Sequence, residues 1–333
     1  MMNNNYNDTV ISTRVRLARN INDIAFPHRL SKSEKLNVIE LVRSALLDSN
    51  TVIAKDFDLI KMWELSKIDA LALVEKHLIS PEFIKNTEGR AVLINKDETV
   101  SIMINEEDHI RLQVIMQGFE PEKALDLTDK LDTLLDERLN FAFNERLGYL
   151  TQCPTNLGTG LRVSVMLHLP AIKSTNAINR IANNLSKLGM TIRGIYGEGS
   201  EPVGSMYQLS NQVSLGISEK AAVDNLKNIA IQLINLEKQE QENLLKNIDI
   251  QDKIARSLGL LKFCRSISHG ESMQLLSNIK LGIISGEIDN ISIEDINKLI
   301  IQIQPANIMK LAGRELTPAE RDKERANLIR NTL

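Results

Sequence analysis

Five arginines of this sequence lie in extended or turn-like segments where a phosphate-binding role is chemically sensible. Each lies beside a turn, a small residue or an acidic stretch, and their positions are Arg14, Arg16, Arg111, Arg162 and Arg193. The planar guanidinium group of arginine binds phosphate oxygens through two parallel hydrogen bonds. The sequence contains no GxxxxGK[ST] loop and no GxGxxG turn after a strand, so converging arginines are the alternative way to hold a polyphosphate. A solvated surface position is the competing interpretation for each arginine taken alone.

Carboxylates supply a second set of candidate residues. The stretch NEEDHIR contains Glu106 and Glu107 and ends at Arg111. If a strand ran unbroken through it, Glu107 and Arg111 would lie on one face, about 13 Å apart. An acidic turn capped by Asn105 is equally compatible with the spacing. Glu198 lies between two glycines, in a loop that is expected to act as a movable lid.

The stretch CPTNLGTGLR begins with Cys153 and ends with Arg162. Phosphate binding, nucleophilic catalysis by the thiol and a plain turn between strands are three interpretations that these residues leave open. The other cysteine, Cys264, lies in an apolar helical pattern, which favours a core position. Because the two cysteines show no CxxC or Cys/His spacing, neither a zinc site nor a disulfide framework is predicted.

The composition is typical of a globular protein with an ordinary core. The chain has 333 residues, of which 43% are hydrophobic and 25% charged. Its formal net charge of -3 argues against a nucleic-acid-binding protein, since such domains are usually strongly basic. The first residues lack a signal-peptide pattern, and no apolar run reaches the roughly 20 residues of a membrane span. A reducing cytoplasm is therefore the expected location.

Hydrophobic periodicity predicts a mixed α/β body followed by helices only. Strands are expected at residues 10–19, 90–95, 99–104, 110–116, 191–197 and 203–215, and in the apolar alternation after Arg162. Helices are expected at residues 31–50, 66–79, 124–146 and 219–246, and throughout the chain from about residue 250. In the first strand, Ser12, Arg14 and Arg16 would share one face. The C-terminal apolar positions expected to form a self-association surface are Leu258, Leu260, Leu261, Phe263, Leu275, Leu276 and Ile279.

Four stretches, in this order, resemble the phosphagen (guanidino) kinases: STRVRLARN, NEEDHIR, CPTNLGTGLR and RGIYGE. The resemblance covers about residues 10–245. It implies an α+β fold with a catalytic domain at 10–245, built on an antiparallel sheet flanked by helices. The polar residues 1–9 before it are expected to form a disordered tail. The resemblance also implies phosphoryl transfer from ATP to a guanidinium group. Mg²⁺ would be carried by the ATP phosphates, with no ligand from protein side chains.

The same resemblance assigns roles to individual residues. The positions that match the family's ATP-binding segments, including a histidine expected to lie against the nucleotide, are Ser12, Thr13, Arg14, Val15, Arg16, His77, Arg111, Arg162, Val163, Ser164, Val165, Met166, Arg193, Gly194, Ile195, Tyr196, Gly197 and Glu198. Glu107 matches the catalytic base, with Glu106 beside it and Glu198 as a second carboxylate for the guanidinium. Cys153 matches the family's reactive cysteine, whose thiolate would pair with the substrate cation.

Two departures from the metabolite kinases point to a bacterial branch that phosphorylates arginine residues of proteins. Those kinases carry a helical domain before the first motif, where this chain has residues 1–9, and they lack a counterpart of residues 250–333. Without that domain the acceptor site is expected to admit an arginine on a protein chain. The branch implies a role in the stress response and protein quality control. The implied partners are substrates that include the heat-shock repressor CtsR, the zinc-binding activator McsA, and the ClpC/ClpP protease.

The helical region at 250–333 is expected to mediate dimerisation or higher homo-oligomerisation and to carry an allosteric site. The stretch TPAERDKERANLIR predicts a helix that is capped by Thr317 and has Pro318 as its first residue. Spacing alone favours an exposed helix with salt bridges. The RDxxRA pattern, however, resembles the branch's phosphoarginine-binding element, whose matching residues are Arg321, Asp322, Arg325 and Ala326.

Two other functions stay open from the sequence. One is a kinase for a free guanidino metabolite such as arginine, which the layout of the chain disfavours. The other is a non-catalytic adaptor that binds phosphoarginine, which the intact Glu107, Cys153 and Glu198 disfavour. A DNA-binding regulator is disfavoured by the net charge and by the lack of a recognisable reading helix.

Overall fold

The computed structural model describes residues 6–49, 51–194 and 203–333. The strands are β1 (Val10–Arg19), β2 (Phe57–Lys61), β3 (Ala91–Asn95), β4 (Val100–Ile104), β5 (Ile110–Gln117), β6 (Phe143–Asn144), β7 (Gly148–Tyr149), β8 (Leu161–His168), β9 (Met190–Gly194) and β10 (Met206–Asn211). The helices are α1 (Lys32–Leu47), α2 (Lys67–Glu75), α3 (Pro121–Leu139), α4 (Pro170–Ser174), α5 (Ile178–Lys187), α6 (Glu219–Leu244), α7 (Ile248–Phe263), α8 (His269–Ser285), α9 (Ile293–Gln302), α10 (Pro305–Ala312) and α11 (Pro318–Thr332). Of the predicted tail at 1–9, residues 1–5 lie outside the described residues and Tyr6–Asp8 form a short 3₁₀ turn.

The chain divides into two compact units. The sheet unit comprises Ser12–Val165 and Ser210–Asn228. The helical unit comprises Met1–Ile11, Met166–Leu209 and Ile229–Leu333. The predicted domain boundary near residue 245 divides the chain into two consecutive parts, whereas each of these units combines separate stretches. That boundary stays a prediction. No helix in the described part of the chain is long and apolar enough to cross a membrane.

The sheet unit is built on strands in the order β2-β3-β4-β5-β1-β8. The pairs β2/β3, β3/β4, β4/β5 and β1/β5 are antiparallel. Alternate residues of β1 point to opposite faces, so Thr13, Val15 and Leu17 are buried on the face opposite to Arg14 and Arg16. The hydroxyl of Thr13 donates to the carbonyl of Gly118 at 2.8 Å, just before α3. Helices α1 and α3 therefore pack against the Thr13 face.

Part of the other face of this sheet is covered by α2 and the residues after it. Met62, Leu73 and Phe83 form a buried cluster with Val92 of β3 and Met103 of β4. Met103 lies directly opposite Arg111, so this cluster borders the face that carries the arginines. The cluster leaves the β1 and β5 part of that face to polar side chains.

In the helical unit the order of strands is β8-β10-β9, and most of the unit is formed by α4 to α11. Helix α8 lies at its centre, capped by the Ser268 hydroxyl at one end and by left-handed Gly286 at the other. A Cβ atom at Gly282 would lie 2.6 Å from the Ile254 side chain of α7, so the two helices approach closely there. The predicted α+β fold with a helical C-terminal region is confirmed.

Several predicted elements differ in extent from the observed ones. Helix α3 ends at Leu139 and not near residue 146, because Asn140 adopts a left-handed φ of 50°. Residues 143–149 instead form the β6–β7 hairpin. Strand β10 is shorter than predicted because Val203–Ser205 form a 3₁₀ turn before it. Strand β2 and helices α4 and α5 were not predicted.

The predicted self-association surface is largely wrong. Leu261, Leu276 and Ile279 are buried in the core of the helical unit, and Leu258 and Leu275 pack against that core. These apolar positions are numerous because α7 and α8 bury them against one another. Of the predicted set, Leu260 and Phe263 are exposed.

Candidate active site

Four of the predicted arginines lie together in the sheet unit. In the β1/β5 register Arg14 lies opposite Ile115 and Arg111 lies opposite Ala18, which places Arg14, Arg16 and Arg111 on one face. Burial and the charges of Arg111, Arg14 and Arg162 lower the pKa of Arg16 well below its ordinary value. Burial and the charge of Arg111 lower the pKa of Arg14 to about 10, so it remains a cation at neutral pH.

Arg14 and Arg16 leave positive charge that the described residues do not neutralise. Arg14 and Arg16 form no ion pair with the described residues, and the buried Nε of Arg16 has no hydrogen-bond partner there. Clustered cations with an orphaned buried donor are costly unless a ligand pairs with them. The face is therefore suited to a polyanion.

His77 borders the arginine face, and its predicted contact with the nucleotide stays a prediction. Its φ of 61° is left-handed, so α2 ends before it and not near residue 79. Its carbonyl accepts a hydrogen bond from Gln113 of β5 at 2.8 Å. Burial and the charge of Arg14 lower the pKa of His77 to about 4, so the imidazole is neutral at pH 7.

The stretch NEEDHIR forms a turn and not an unbroken strand. Asn105 has a φ of 63°, and its backbone N–H donates to the carbonyl of His109 at 3.0 Å. Glu106 accepts hydrogen bonds from Ser80 and Arg111. Burial alone would raise the pKa of Glu106, but the charge of Arg111 and the Ser80 hydrogen bond outweigh it and lower the pKa. Glu106 therefore acts as a fixed anion that orients Arg111.

Glu107 lies in the same turn and has a different environment. Burial and the negative charges of Asp108 and Glu106 raise its pKa, so it is a stronger base than an ordinary glutamate. The thiol of Cys153 forms a hydrogen bond with the Glu107 carboxyl group. The thiol also lies 3.0 Å from the Thr155 hydroxyl. The structure thus brings the predicted base and the predicted cysteine into direct contact.

Asp108, which was not among the predicted site residues, fixes the cysteine segment to the acidic turn. Its carboxylate accepts hydrogen bonds from the Asn20 side chain and from the backbone N–H of Gln152, each at 2.7 Å. Asn20 also donates to the Leu150 carbonyl at 2.9 Å. The position of Cys153 relative to Glu107 therefore depends on Asn20 and Asp108.

The turn before Arg162 requires glycine. Gly158 and Gly160 have φ values of 107° and 65°. A Cβ atom would lie 2.4 Å from the Ser214 carbonyl oxygen at Gly158 and 2.6 Å from the Ala18 carbonyl oxygen at Gly160. Of the three interpretations of this stretch, a tight turn is the one that its backbone shows.

Buried Arg19, also not predicted, holds this turn. Its guanidinium donates to the Thr159 carbonyl at 2.7 Å and to Asp132 of α3 at 2.8 Å. It also donates to Glu219 at 3.2 Å and stacks 3.5 Å above the Tyr149 ring. One side chain therefore joins β1, β7, the glycine turn, α3 and the start of α6.

The other predicted ATP-binding residues are distributed as follows. Ser12 is half-buried on the arginine side of β1, whereas the side chains of Thr13 and Val15 lie on the opposite face. Val163, Ser164 and Val165 are buried and lie in the part of β8 that belongs to the sheet unit. The helical unit contains Met166, Arg193 and Gly194. The predicted residues outside the described ranges are Ile195, Tyr196, Gly197 and Glu198.

Comparison with protein families agrees with this geometry. A model described as ATP:guanido phosphotransferase, C-terminal catalytic domain, matches residues 37–240. A second model, described as protein-arginine kinase McsB C-terminal domain, matches residues 247–333. The chain belongs to the protein-arginine kinase branch of the ATP:guanido phosphotransferase family. It is accordingly an ATP-dependent phosphotransferase.

Curated relatives of this kinase match it over nearly their full length. The protein-arginine kinase of Halothermothrix orenii is 49% identical over 328 residues, which cover 98% of this chain and 93% of the relative. The protein-arginine kinase of Caldanaerobacter subterraneus subsp. tengcongensis is 45% identical, and the match covers 98% of this chain and 97% of the relative.

Solved structures of other guanidino kinases show the same fold. The substrate-free duplicated taurocyamine kinase from Schistosoma mansoni has a TM-score of 0.63 and 32% identity, covering 72% of this chain and 35% of that one. Lombricine kinase has a TM-score of 0.62 and 25% identity, and the match covers 70% of this chain and 67% of lombricine kinase.

The RDxxRA residues of the kinase lie on α11, whose predicted cap is confirmed. The Thr317 hydroxyl accepts from the backbone N–H of Glu320, and Pro318 begins the helix. Arg325 is buried and donates to the carbonyls of Ile303 and Ile267 at 3.0 and 2.9 Å. It also pairs with Asp322 at 2.5 Å, while Ala326 is fully buried. The pattern therefore stabilises the helical unit, and its binding of phosphoarginine stays a prediction.

Proposed function

We propose that this kinase transfers the γ-phosphoryl group of ATP to the guanidinium group of arginine residues in proteins. The observation that carries the proposal is the contact between Glu107 and Cys153 beside a face of four arginines. The names of the curated relatives and the second family model support a protein acceptor.

The arginine face would bind MgATP through its phosphates. Arg14 and Arg16 hold positive charge without a protein partner, so they are available to the phosphate oxygens. Phosphoryl transfer passes through a loose anionic transition state, so fixed cations contribute by positioning and electrostatic stabilisation. Mg²⁺ would arrive with the nucleotide and add to that charge. Arg193 and the lid residues around Glu198 are proposed to complete the nucleotide site.

Glu107 would activate the acceptor. A guanidinium group has a pKa above about 12 and must lose a proton to become a nucleophile. The Glu107 carboxylate, with its raised pKa, takes that proton as the nitrogen attacks the γ-phosphorus atom. The bond from the γ-phosphorus to the bridging oxygen breaks, and ADP leaves. Cys153 hydrogen-bonds to Glu107 and would lie against the guanidinium, orienting it without forming a covalent bond.

A kinase for a free guanidino metabolite is the second candidate, because the taurocyamine kinase is 32% identical to this chain. The test is a phosphorylation assay with MgATP that offers unfolded casein, free arginine and taurocyamine in parallel. The variant Glu107→Gln serves as the inactive control, since it keeps the size of the side chain. The product is exposed to acid, where an N–P bond hydrolyses and an O–P ester survives.

We expect acid-labile label on casein and a loss of about 10²–10⁴ in rate for Glu107→Gln. Label confined to the free metabolites would replace the proposal with the second candidate. Acid-stable label on casein would refute guanidine chemistry altogether.

The following steps are also proposed. The modified proteins are marked for the ClpC/ClpP protease, CtsR is one substrate that modification inactivates, and McsA raises the activity. This would place the kinase in cytoplasmic stress response and protein quality control. The readouts are degradation of labelled substrate by ClpC/ClpP and loss of operator binding by CtsR. Both effects should disappear with Glu107→Gln.

We propose further that residues 250–333 mediate homo-oligomerisation and that α11 binds phosphoarginine as an activator. Asp322→Ala should weaken activation by phosphoarginine and leave ATP affinity unchanged. That variant also leaves buried Arg325 unpaired at this contact, so a gentler variant is needed. Arg321→Ala is suitable, because the Arg321 guanidinium has no partner among the described residues. Unchanged activation in both variants would contradict the assignment.

A further inference from the structure

A cavity of about 310 Å³ lies within the helical unit. It is lined by residues of α4, α7 and α8, by the last turn of α6 and by the turn before β10. Its volume is near the lower limit of pockets that bind small molecules. No acidic residue lines the cavity, whereas two basic residues, Lys173 and Lys253, do. The lining is therefore biased towards an anion.

Four of the donor groups around this cavity are not used by the described part of the protein. Within the described residues, Lys173 and Lys253 form no ion pair. The side-chain amide of Gln274 forms no hydrogen bond there either. Ser205 lines the cavity, and its hydroxyl has no hydrogen-bond partner in the described part of the chain. The hydroxyl is therefore free to donate to an acceptor atom inside the cavity.

The wall of the cavity is held rigidly. Ser277 and Asn278 of α8 are buried, and Ser277 is bound to the His168 ring at 2.7 Å. Asn278 donates to the Ser257 hydroxyl of α7 at 2.9 Å. Ser205 has a left-handed φ of 58°, an uncommon conformation for a residue with a side chain. Such backbone strain is concentrated at ligand-binding positions.

We infer that this cavity is a binding site for a small phosphate-bearing ligand. Lys173 and Lys253 supply the two positive charges that a phosphate dianion requires. The Ser205 hydroxyl and the Gln274 amide supply neutral donors. A tetrahedral phosphate presents three free oxygens to such divergent donors, whereas a planar carboxylate presents two. Lysine is well suited here because it binds phosphate as a point charge.

The apolar part of the lining admits either of two sources of the phosphate. Leu244, Ile250 and Leu281 line the cavity beside the polar groups. They would contact the carbon atoms of a small phosphate ester, and inorganic phosphate would leave them uncovered. This site is independent of the proposed arginine phosphorylation, since none of its residues belongs to the arginine face.

The test observes the cavity directly by NMR, in protein carrying isotope-labelled asparagine and glutamine. Inorganic phosphate and glycerol 3-phosphate are the two probes. The side-chain amide signals of Gln274 and Asn278 are identified by their absence in Gln274→Glu and Asn278→Asp. We expect both signals to shift and saturate with at least one probe. Tighter binding of the ester would identify the apolar side as part of the site.

The affinity is then compared in two double variants that remove the same charge. Lys173→Ala with Lys253→Ala should weaken binding at least about tenfold, or roughly 1.4 kcal/mol. Lys187→Ala with Lys262→Ala, at positions that do not line the cavity, should leave it unchanged. Absence of shifts at Gln274 and Asn278 would refute the site. Equal affinity in the two double variants would do the same, since the phosphate would then bind elsewhere.

Discussion

Replacing Arg19 by methionine should destabilise the sheet unit strongly. The Arg19 side chain is 0% exposed and that of its partner Asp132 is 13% exposed. Removing one member of a buried ion pair costs about 3–5 kcal/mol, because the other charge remains buried and unpaired. Methionine fills most of the space of the arginine stem, so a cavity adds little. We therefore expect Arg19→Met to lower the free energy of unfolding by about 3–5 kcal/mol.

The loss should depend on pH with a defined sign. Burial raises the pKa of Asp132 and of Glu219 even though the charge of Arg19 lowers both. Without Arg19 both pKa values rise further above their unfolded values. Between the unfolded and the folded pKa values, the folded variant binds more protons than the unfolded chain. Its free energy of unfolding therefore falls as the pH rises through that range. The loss of unfolding free energy in Arg19→Met should be larger near about pH 7.5 than near about pH 5.

The assay is urea unfolding followed by the fluorescence of Trp63. The chain contains one tryptophan, and it lies in the sheet unit together with Arg19. Its signal therefore reports the unit in question, whatever the helical unit does. Arg43→Met is the matched control, because Arg43 pairs with Glu40 at the surface of the same unit. A deficit below about 1 kcal/mol, or one that is equal at both pH values, would refute the role given to Arg19.

Three further predictions concern other positions. Asp108→Asn keeps the hydrogen-bond acceptor and removes a charge that raises the pKa of Glu107, so the acid limb of the kcat–pH profile should move to lower pH. Gly160→Ala would place a Cβ atom 2.6 Å from a backbone oxygen of β1 at a φ of 65°, so it should cost about 2–4 kcal/mol by urea unfolding. Burial lowers the pKa of Lys280 to about 7, so the unfolded chain keeps a proton that the fold releases. Stability should therefore rise between about pH 7 and pH 10, and Lys280→Met should abolish that slope in thermal unfolding.

The arginine face could be predicted from sequence because strand alternation is a local property. Arg14 and Arg16 are two residues apart, and their common face follows from the period of a β-strand alone. The acidic turn shows where this reasoning fails. The observed β5 begins at Ile110, because left-handed Asn105 reverses the chain before it. Residue parity between Glu107 and Arg111 therefore carried no information.

The burial of Arg325 in the RDxxRA element could not be predicted, for a different reason. Helical spacing placed Arg321 and Arg325 on a shared face, but burial depends on what packs against that face. The carbonyl groups of Ile267 and Ile303 approach Arg325 from the ends of two other segments. A pattern within one helix contains no record of them, so the exposed helix that the spacing favoured does not hold for Arg325, which is buried.

The residues that hold the site together were missed because their partners are distant in sequence. The Arg19 side chain binds residues 113, 140 and 200 positions away, at Asp132, Thr159 and Glu219. Such pairings depend on tertiary structure, which periodicity does not encode. The stretch STRVRLARN nevertheless contains both kinds of residue, since Arg14 and Arg16 lie on the arginine face while Arg19 and Asn20 bind the turns that carry Arg162 and Cys153. The stretch thus has two parts: Arg14 and Arg16 place charge on the proposed phosphate-binding face, and Arg19 and Asn20 fix the two turns beside it.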